Sequence, residues 1–132
     1  MFIINYGDDK NLEIKVLFST ANSFAKKYCN GKSIVEVLPT KMAEFDGEFL
    51  VELLSHFQTN NPKLSKEQIT KILDETLGDE TKELDVPTIY TEIIKEFDYA
   101  GVFKKGMGFT LAKKFKQQMD VLLTEENEPV NQ

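Results

Sequence analysis

Leu64-Ser65-Lys66-Glu67-Gln68-Ile69-Thr70-Lys71-Ile72-Leu73-Asp74-Glu75-Thr76-Leu77-Gly78 holds the start, the face and the stop of one amphipathic helix. Ser65 stands where an N-cap hydroxyl can take a backbone N–H. Gln68, three positions on, can reach back to the Ser65 N–H, so the two residues form a capping box. Leu64 and Ile69 occupy the two positions of a hydrophobic staple. Ile69, Ile72, Leu73 and Leu77 recur at the spacing that lines one helical face, and Gly78 stops the run. A helix so one-sided must bury that face against other elements, and its neighbours supply them.

Upstream, Asp46 is placed to cap a helix with Phe49, Leu50, Leu53, Leu54 and Phe57 on one stripe, ended by Asn60-Asn61-Pro62. Downstream, residues 79–85 form a polar loop, and a helix follows Pro87 with Ile89, Tyr90, Ile93, Ile94 and Phe97 as its stripe. The two stripes share one spacing, which fits either an internal duplication or simply two amphipathic helices. Earlier in the chain, Ser19-Thr20-Ala21-Asn22 opens a short helix reaching Cys29, with Phe24 and Tyr28 on one face and Asn30-Gly31 closing it, the glycine in the left-handed cap. Ser33 starts a further turn with Ile34, Val35, Val37 and Leu38 that Pro39 is expected to end; a short strand is the other reading. Gly101, Gly106 and Gly108 loosen the chain before a last helix, roughly 110–124.

The first residues follow a different period. Residues 2–6 and 12–18 read as strands, and Leu12, Ile14, Val16 and Phe18 alternate with polar neighbours. Gly7-Asp8-Asp9-Lys10-Asn11 between them is a turn, so a hairpin is expected. Two strands alone are marginal in water, so this hairpin must lie on the helices. The expected architecture is mainly α: a small helical domain of about five helices with a short N-terminal β-hairpin. It spans residues 1–124, the hairpin within 1–18, and residues 125–132 form a mobile acidic tail.

The composition narrows the function. The chain has 132 residues, net charge −6 and one cysteine, Cys29, so an internal disulfide is impossible and a reducing, cytoplasmic setting fits. The start lacks the basic residues and apolar run of a signal peptide, and no apolar run reaches bilayer length. All 16 basic residues are Lys, which removes the planar Arg fork used on phosphates and guanine edges. The negative charge also disfavours nucleic acid and anionic membranes.

Motifs for chemistry fail on detail. Gly101-Val102-Phe103-Lys104-Lys105-Gly106-Met107-Gly108 has no Lys-Ser/Thr after the second glycine and follows a helix, unlike a phosphate loop. Asp74 to Glu80 puts Asp79 where a calcium loop needs glycine. Cys29 and His56, each the only residue of its type, could pair as nucleophile and base, yet no local signature surrounds either. Lys104, Lys105, Lys113, Lys114 and Lys116 interleave with Phe103, Phe109 and Phe115, a pattern that single-strand binders use, but helical spacing favours core packing. No catalytic residue, metal or cofactor is expected. The candidate function is protein binding.

The last helix locates that binding. Lys113, Lys114 and Lys116 lie in its first turns and Glu125 and Glu126 at its end, against its own dipole. A helix so charged is expected to fray alone and to be completed by a partner helix; docking on the domain's own core is the rival reading. The partner-binding residues expected on this segment are Phe103, Phe109, Leu111, Phe115, Met119 and Leu122.

The layout from Phe2–Phe18 into Thr20–Cys29, then Leu64-Ser65-Lys66-Glu67-Gln68-Ile69, then Ile89-Tyr90-Thr91-Glu92-Ile93-Ile94-Lys95-Glu96-Phe97 and Gly101-Val102-Phe103, resembles the tail assembly chaperones of long-tailed phages and prophages of Gram-positive bacteria. The likeness covers residues 1–105 in arrangement and apolar pattern. It implies a non-enzymatic chaperone in the host cytoplasm that binds the long, helical tape measure protein and helps tail tube protein assemble around it. Such proteins often exist also in a longer, frameshifted form. Two other classes stay open: a phage-encoded regulatory adaptor or inhibitor that binds a globular host protein, and a nucleic-acid-binding protein using the Lys-rich region.

The capping box carries a direct test. Ser65→Ala should destabilise the fold by about 1 kcal/mol in urea unfolding, with the slope unchanged.

Overall fold

The computed structural model describes the backbone of residues 1–127 and side chains to Thr124. Two antiparallel strands, β1 (Phe2–Gly7) and β2 (Lys10–Ile14), precede six helices. These are α1 (Phe18–Tyr28), α2 (Ile34–Ala43), α3 (Gly47–Phe57), α4 (Lys66–Leu77), α5 (Val86–Tyr99) and α6 (Met107–Asn127). The chain is thus mainly helical with a short N-terminal hairpin, as the periodicities require.

The helix signals act as expected. Ser65 Oγ accepts the Gln68 N–H at 3.1 Å, and Gln68 Oε1 accepts the Ser65 N–H at 2.8 Å. Asp46 accepts the Phe49 N–H at 2.9 Å, and Asp85 accepts the Thr88 N–H at 2.8 Å. The stripes of α3 and α5 are buried throughout, and Ile69, Ile72 and Leu73 of α4 join the same core, with Leu77 partly buried against it. Asn30 and Gly31 take left-handed backbone with φ of 50° and 79°.

The hairpin is held by more than packing. The Lys15 N–H donates to Phe57 O at 3.1 Å and the Thr59 N–H to Glu13 O at 2.8 Å, so the end of α3 continues the sheet along β2. Asn60 imitates a strand residue with its amide, accepting the Glu13 N–H and donating to Asn11 O. Buried Gln58 closes the α3–α4 connection, donating to Ser55 O and Leu64 O and accepting the Leu64 N–H. The backbone of residues 57–59 and the Asn60 side chain thereby do the work of a third strand.

Several boundaries differ from expectation. The second strand ends at Ile14: Val16 stays inward, but Leu17 caps α1 and Phe18 opens that helix 72% exposed. The alternation broke because the Thr20 hydroxyl accepts the Leu17 N–H at 3.1 Å and starts the helix early. The hairpin turn is tighter than residues 7–11, because Gly7 pairs with Lys10 around Asp8-Asp9, with Asp9 at φ 56°. The stretch after Ser33 is a full helix that passes through Pro39. Ile34, Leu38 and Met42 bury one face of it, and that burial outweighs the one backbone donor lost at proline.

The last helix is longer than 110–124, running from Met107 to Asn127. Its N-terminus is not loosely hinged. The Gly106 N–H donates to Asp98 Oδ1 at 3.0 Å and the Phe109 N–H to Asp98 Oδ2 at 3.1 Å. Asp98, buried in the last turn of α5, therefore caps α6 from outside. Lys113, Lys114 and Lys116 lie beyond the first turn, where the dipole effect has faded, so fraying from this end has no cause. The expected mobile tail overlaps the helix to Asn127; its remainder, 128–132, lies outside the described residues.

Gly108 fixes how closely α6 approaches α5. A Cβ there would fall 2.7 Å from the Ile94 carbonyl oxygen and 2.9 Å from Asp98 Cβ. Ala normally gains about 1 kcal/mol over Gly within a helix, but here backbone cannot yield. Gly108→Ala should therefore destabilise by about 1–3 kcal/mol in chemical denaturation, against the propensity trend.

Candidate partner-binding groove

Antiparallel packing of α5 and α6 leaves a groove at the end away from their connection. Its α5 wall holds Pro87, Thr88, Thr91 and Glu92, its α6 wall Phe115, Met119, Leu122 and Leu123, and Phe45 closes one side. The volume is about 620 Å³. Phe45 stands in the α2–α3 connection in left-handed backbone, φ 52°, a conformation that costs a bulky residue about 1 kcal/mol or more. Its ring meets Phe115 edge-on at 6.2 Å. Strain held where a ring lines a cleft marks a site worth functional attention.

The groove exists because the helices differ in length. α5 has 14 residues and α6 has 21, so α6 projects roughly 10 Å past the start of α5. Val121, Leu122 and Leu123 on that projection are 56%, 50% and 55% exposed. The polar rim is mixed in sign: Asp85, Glu92 and Asp120 against Lys95 and Lys116, with Lys95 paired to Glu92 at 3.3 Å.

The six residues expected to bind a partner separate. Phe115, Met119 and Leu122 line the groove. Phe103 is buried in the core, stacked on Phe97 at 5.5 Å, and Phe115 is itself mostly buried. Leu111 is half-buried against the core. Phe109 lies at the other end of α6, edge-on to exposed Tyr99 at 5.4 Å. Phe45 and Leu123 were missed. The signal for Phe45 was a lone aromatic between two helices with no stripe to serve.

Phe109 and Tyr99 border a second exposed apolar surface. Met1, Leu17, Phe18 and Tyr99 line a shallow depression there. Phe18 stands out from it, the most exposed of the large apolar side chains described.

The polar candidates take structural positions. The Cys29 thiol is buried and its pKa is raised by that burial, opposite to what a thiolate nucleophile needs. His56 Nε2 faces the Thr20 carbonyl at 3.0 Å and Ser23 Oγ at 3.1 Å. A carbonyl can only accept, so Nε2 carries the proton and cannot serve Ser23 as a base. Asp79 accepts from the Thr81 N–H and hydroxyl, forming a local turn. Among the described residues no cluster of His, Cys, Asp or Glu could hold a metal, and no helix is long and apolar enough to cross a membrane. Of the aromatics between the lysines, Phe103 and Phe115 face the core, leaving Phe109 alone for stacking on a base.

No protein-family model, curated protein or solved structure matches the chain.

His56 gives the fold a pH dependence. Burial, aided by Lys63 and Lys27, holds its pKa below the ordinary histidine value despite the Thr20 carbonyl. The unfolded chain takes up that proton near pH 6.5 and the folded one only at lower pH. Stability should be complete above about pH 6.5 and fall as the pH drops through the folded value. Thermal unfolding between about pH 7.5 and 5.5 should show this, and His56→Gln should flatten it, because the chain has no other histidine.

Proposed function

We propose that this protein is a non-catalytic protein-binding module whose α5–α6 groove receives a helix of another protein. The observation that carries the reading is the projecting end of α6, with Val121, Leu122 and Leu123 exposed beside an apolar groove closed on one side by a strained Phe45. A cleft with an apolar floor and mixed polar rim suits the apolar stripe of an amphipathic helix. The resemblance to tail assembly chaperones gives that helix a source. In this reading the partner is the tape measure protein of a long-tailed phage or prophage. The protein keeps it soluble in the host cytoplasm until tail tube protein assembles around it. Sparse apolar anchors and a polar rim favour transient capture, which a chaperone needs.

A second reading is favoured by the other surface. Phe18, protruding beside Leu17 and Tyr99, has the form of an anchor that enters a pocket of a globular protein, as a phage-encoded adaptor or inhibitor would use.

Co-expression separates the two. A long helix-rich protein encoded beside this one should gain solubility with the wild type. Leu122→Asp or Leu123→Asp should remove the gain, and Phe18→Ala should keep it. Unchanged solubility with the wild type would end the chaperone reading. Loss of a one-to-one host complex on Phe18→Ala would establish the adaptor.

A further inference from the structure

We infer that the free protein is a two-fold dimer in which α6 of one copy lies antiparallel against α6 of the other, each projecting end entering the other's groove. The inference rests on the groove being a helix-binding surface, though not on who the physiological partner is. Three observations lead to it.

The first is the seam of α6. Gly108, Ala112 and Phe115 are buried against the protein's own core and Met119 is half-buried at its edge. Leu122 continues the same four-and-three spacing past the point where α5 begins, and is exposed. A seam that runs on beyond its partner helix is incomplete within one chain. The second is that knob and hole lie side by side on one molecule. Leu122 and Leu123 stand with Met119 on the wall of the groove that Phe45 closes on one side. A two-fold axis across α6 would set each copy's knob in the other's hole. Such an interface is isologous and closes at two copies, leaving no free end to grow a filament.

The third is charge. Lys116 and Asp120 stand about one turn apart on the groove side of α6. Among the described residues, the ion pairs formed involve neither of them. Parallel pairing of two such helices would oppose Lys116 to Lys116 and Asp120 to Asp120. Antiparallel pairing opposes Lys116 to Asp120 twice and lays the two macrodipoles in opposition. The charge order along α6 therefore selects the orientation that the groove geometry also requires.

Sedimentation velocity on the full chain alone tests this, without any partner. The wild type should dimerise reversibly with concentration, and more weakly at about 500 mM than at about 50 mM salt, because exposed charge pairs are screened. Leu122→Asp should weaken dimerisation about tenfold or more. Phe45→Gly should also weaken it while relieving backbone strain, so its thermal stability separates lost association from lost folding. The decisive arm uses two chains. One carries Lys116→Glu and the other carries Asp120→Lys. Each alone should dimerise more weakly than the wild type, and their equimolar mixture should recover dimerisation, with circular dichroism confirming that both fold. A wild type that stays monomeric at the highest attainable concentration would overturn the inference. So would charge variants that dimerise alone as tightly as their mixture, or a dimer dissolved by Phe18→Ala and not by Leu122→Asp.

Discussion

The ring of Phe57 lies between those of Phe24 and Phe97, 5.3 Å from each, and the helices α1, α3 and α5 are arranged around that contact. Phe24 also meets Phe49 edge-on, and Phe97 stacks on Phe103 of the α5–α6 connection. One run of aromatic contacts thus ties four parts of the chain together. Edge and offset geometries of this kind add about 0.5–1.5 kcal/mol each beyond the area they bury. The matching stripes of α3 and α5 both end in this run, at Phe57 and Phe97. Phe57 does a second duty: its carbonyl accepts from Lys15, so the residue that centres the core also fastens the hairpin.

From Phe97 the constraint passes directly into α6. The next residue, Asp98, would be a mismatched charge at the end of α5 by the helix-dipole rule. It is instead the cap of the following helix, and Gly108 lets the two backbones close on it. Because the α5–α6 pair is clamped at one end, the difference in helix length all appears at the other. The groove and its projecting apolar end follow from that clamp, not from any loosening of the chain.

The fold was largely legible, since it rests on periodicity and caps, both local. Ser65 with Gln68, Asp46 before Phe49, and Asn30-Gly31 acted within a few residues, and those signals held. Misreadings arose where another residue, near or far, supplied what the residue in question lacked by type. Leu17 is no N-cap residue by type, and a hydroxyl three positions on made it one. Pro39 ends helices in isolation, and burial of Ile34, Leu38 and Met42 carried this one through. The N-terminal half of the dipole argument for α6 failed, because the lysines lie past the first turn and the counter-charge, Asp98, belongs to another helix. The candidate site was half legible: the stripe of α6 pointed to Phe115, Met119 and Leu122. Which of its residues face the core and which face outward depends on where α5 ends, and no local pattern in α6 records that. Phe45 could be noticed as an unattached aromatic, but its place beside Phe115 is a tertiary fact.

Lys116 and Asp120 line the groove and enter none of the ion pairs among the described residues. This side of α6 is apolar along the seam, polar beside it, and exposed where α5 has already ended. Burying Val121, Leu122 and Leu123 would bring about 1.5–3 kcal/mol for each side chain fully covered. Ordering a projecting helix end against a partner offsets part of that gain. The balance of these two terms sets how long any helix bound at this end would stay, and the number of apolar side chains covered is what moves it.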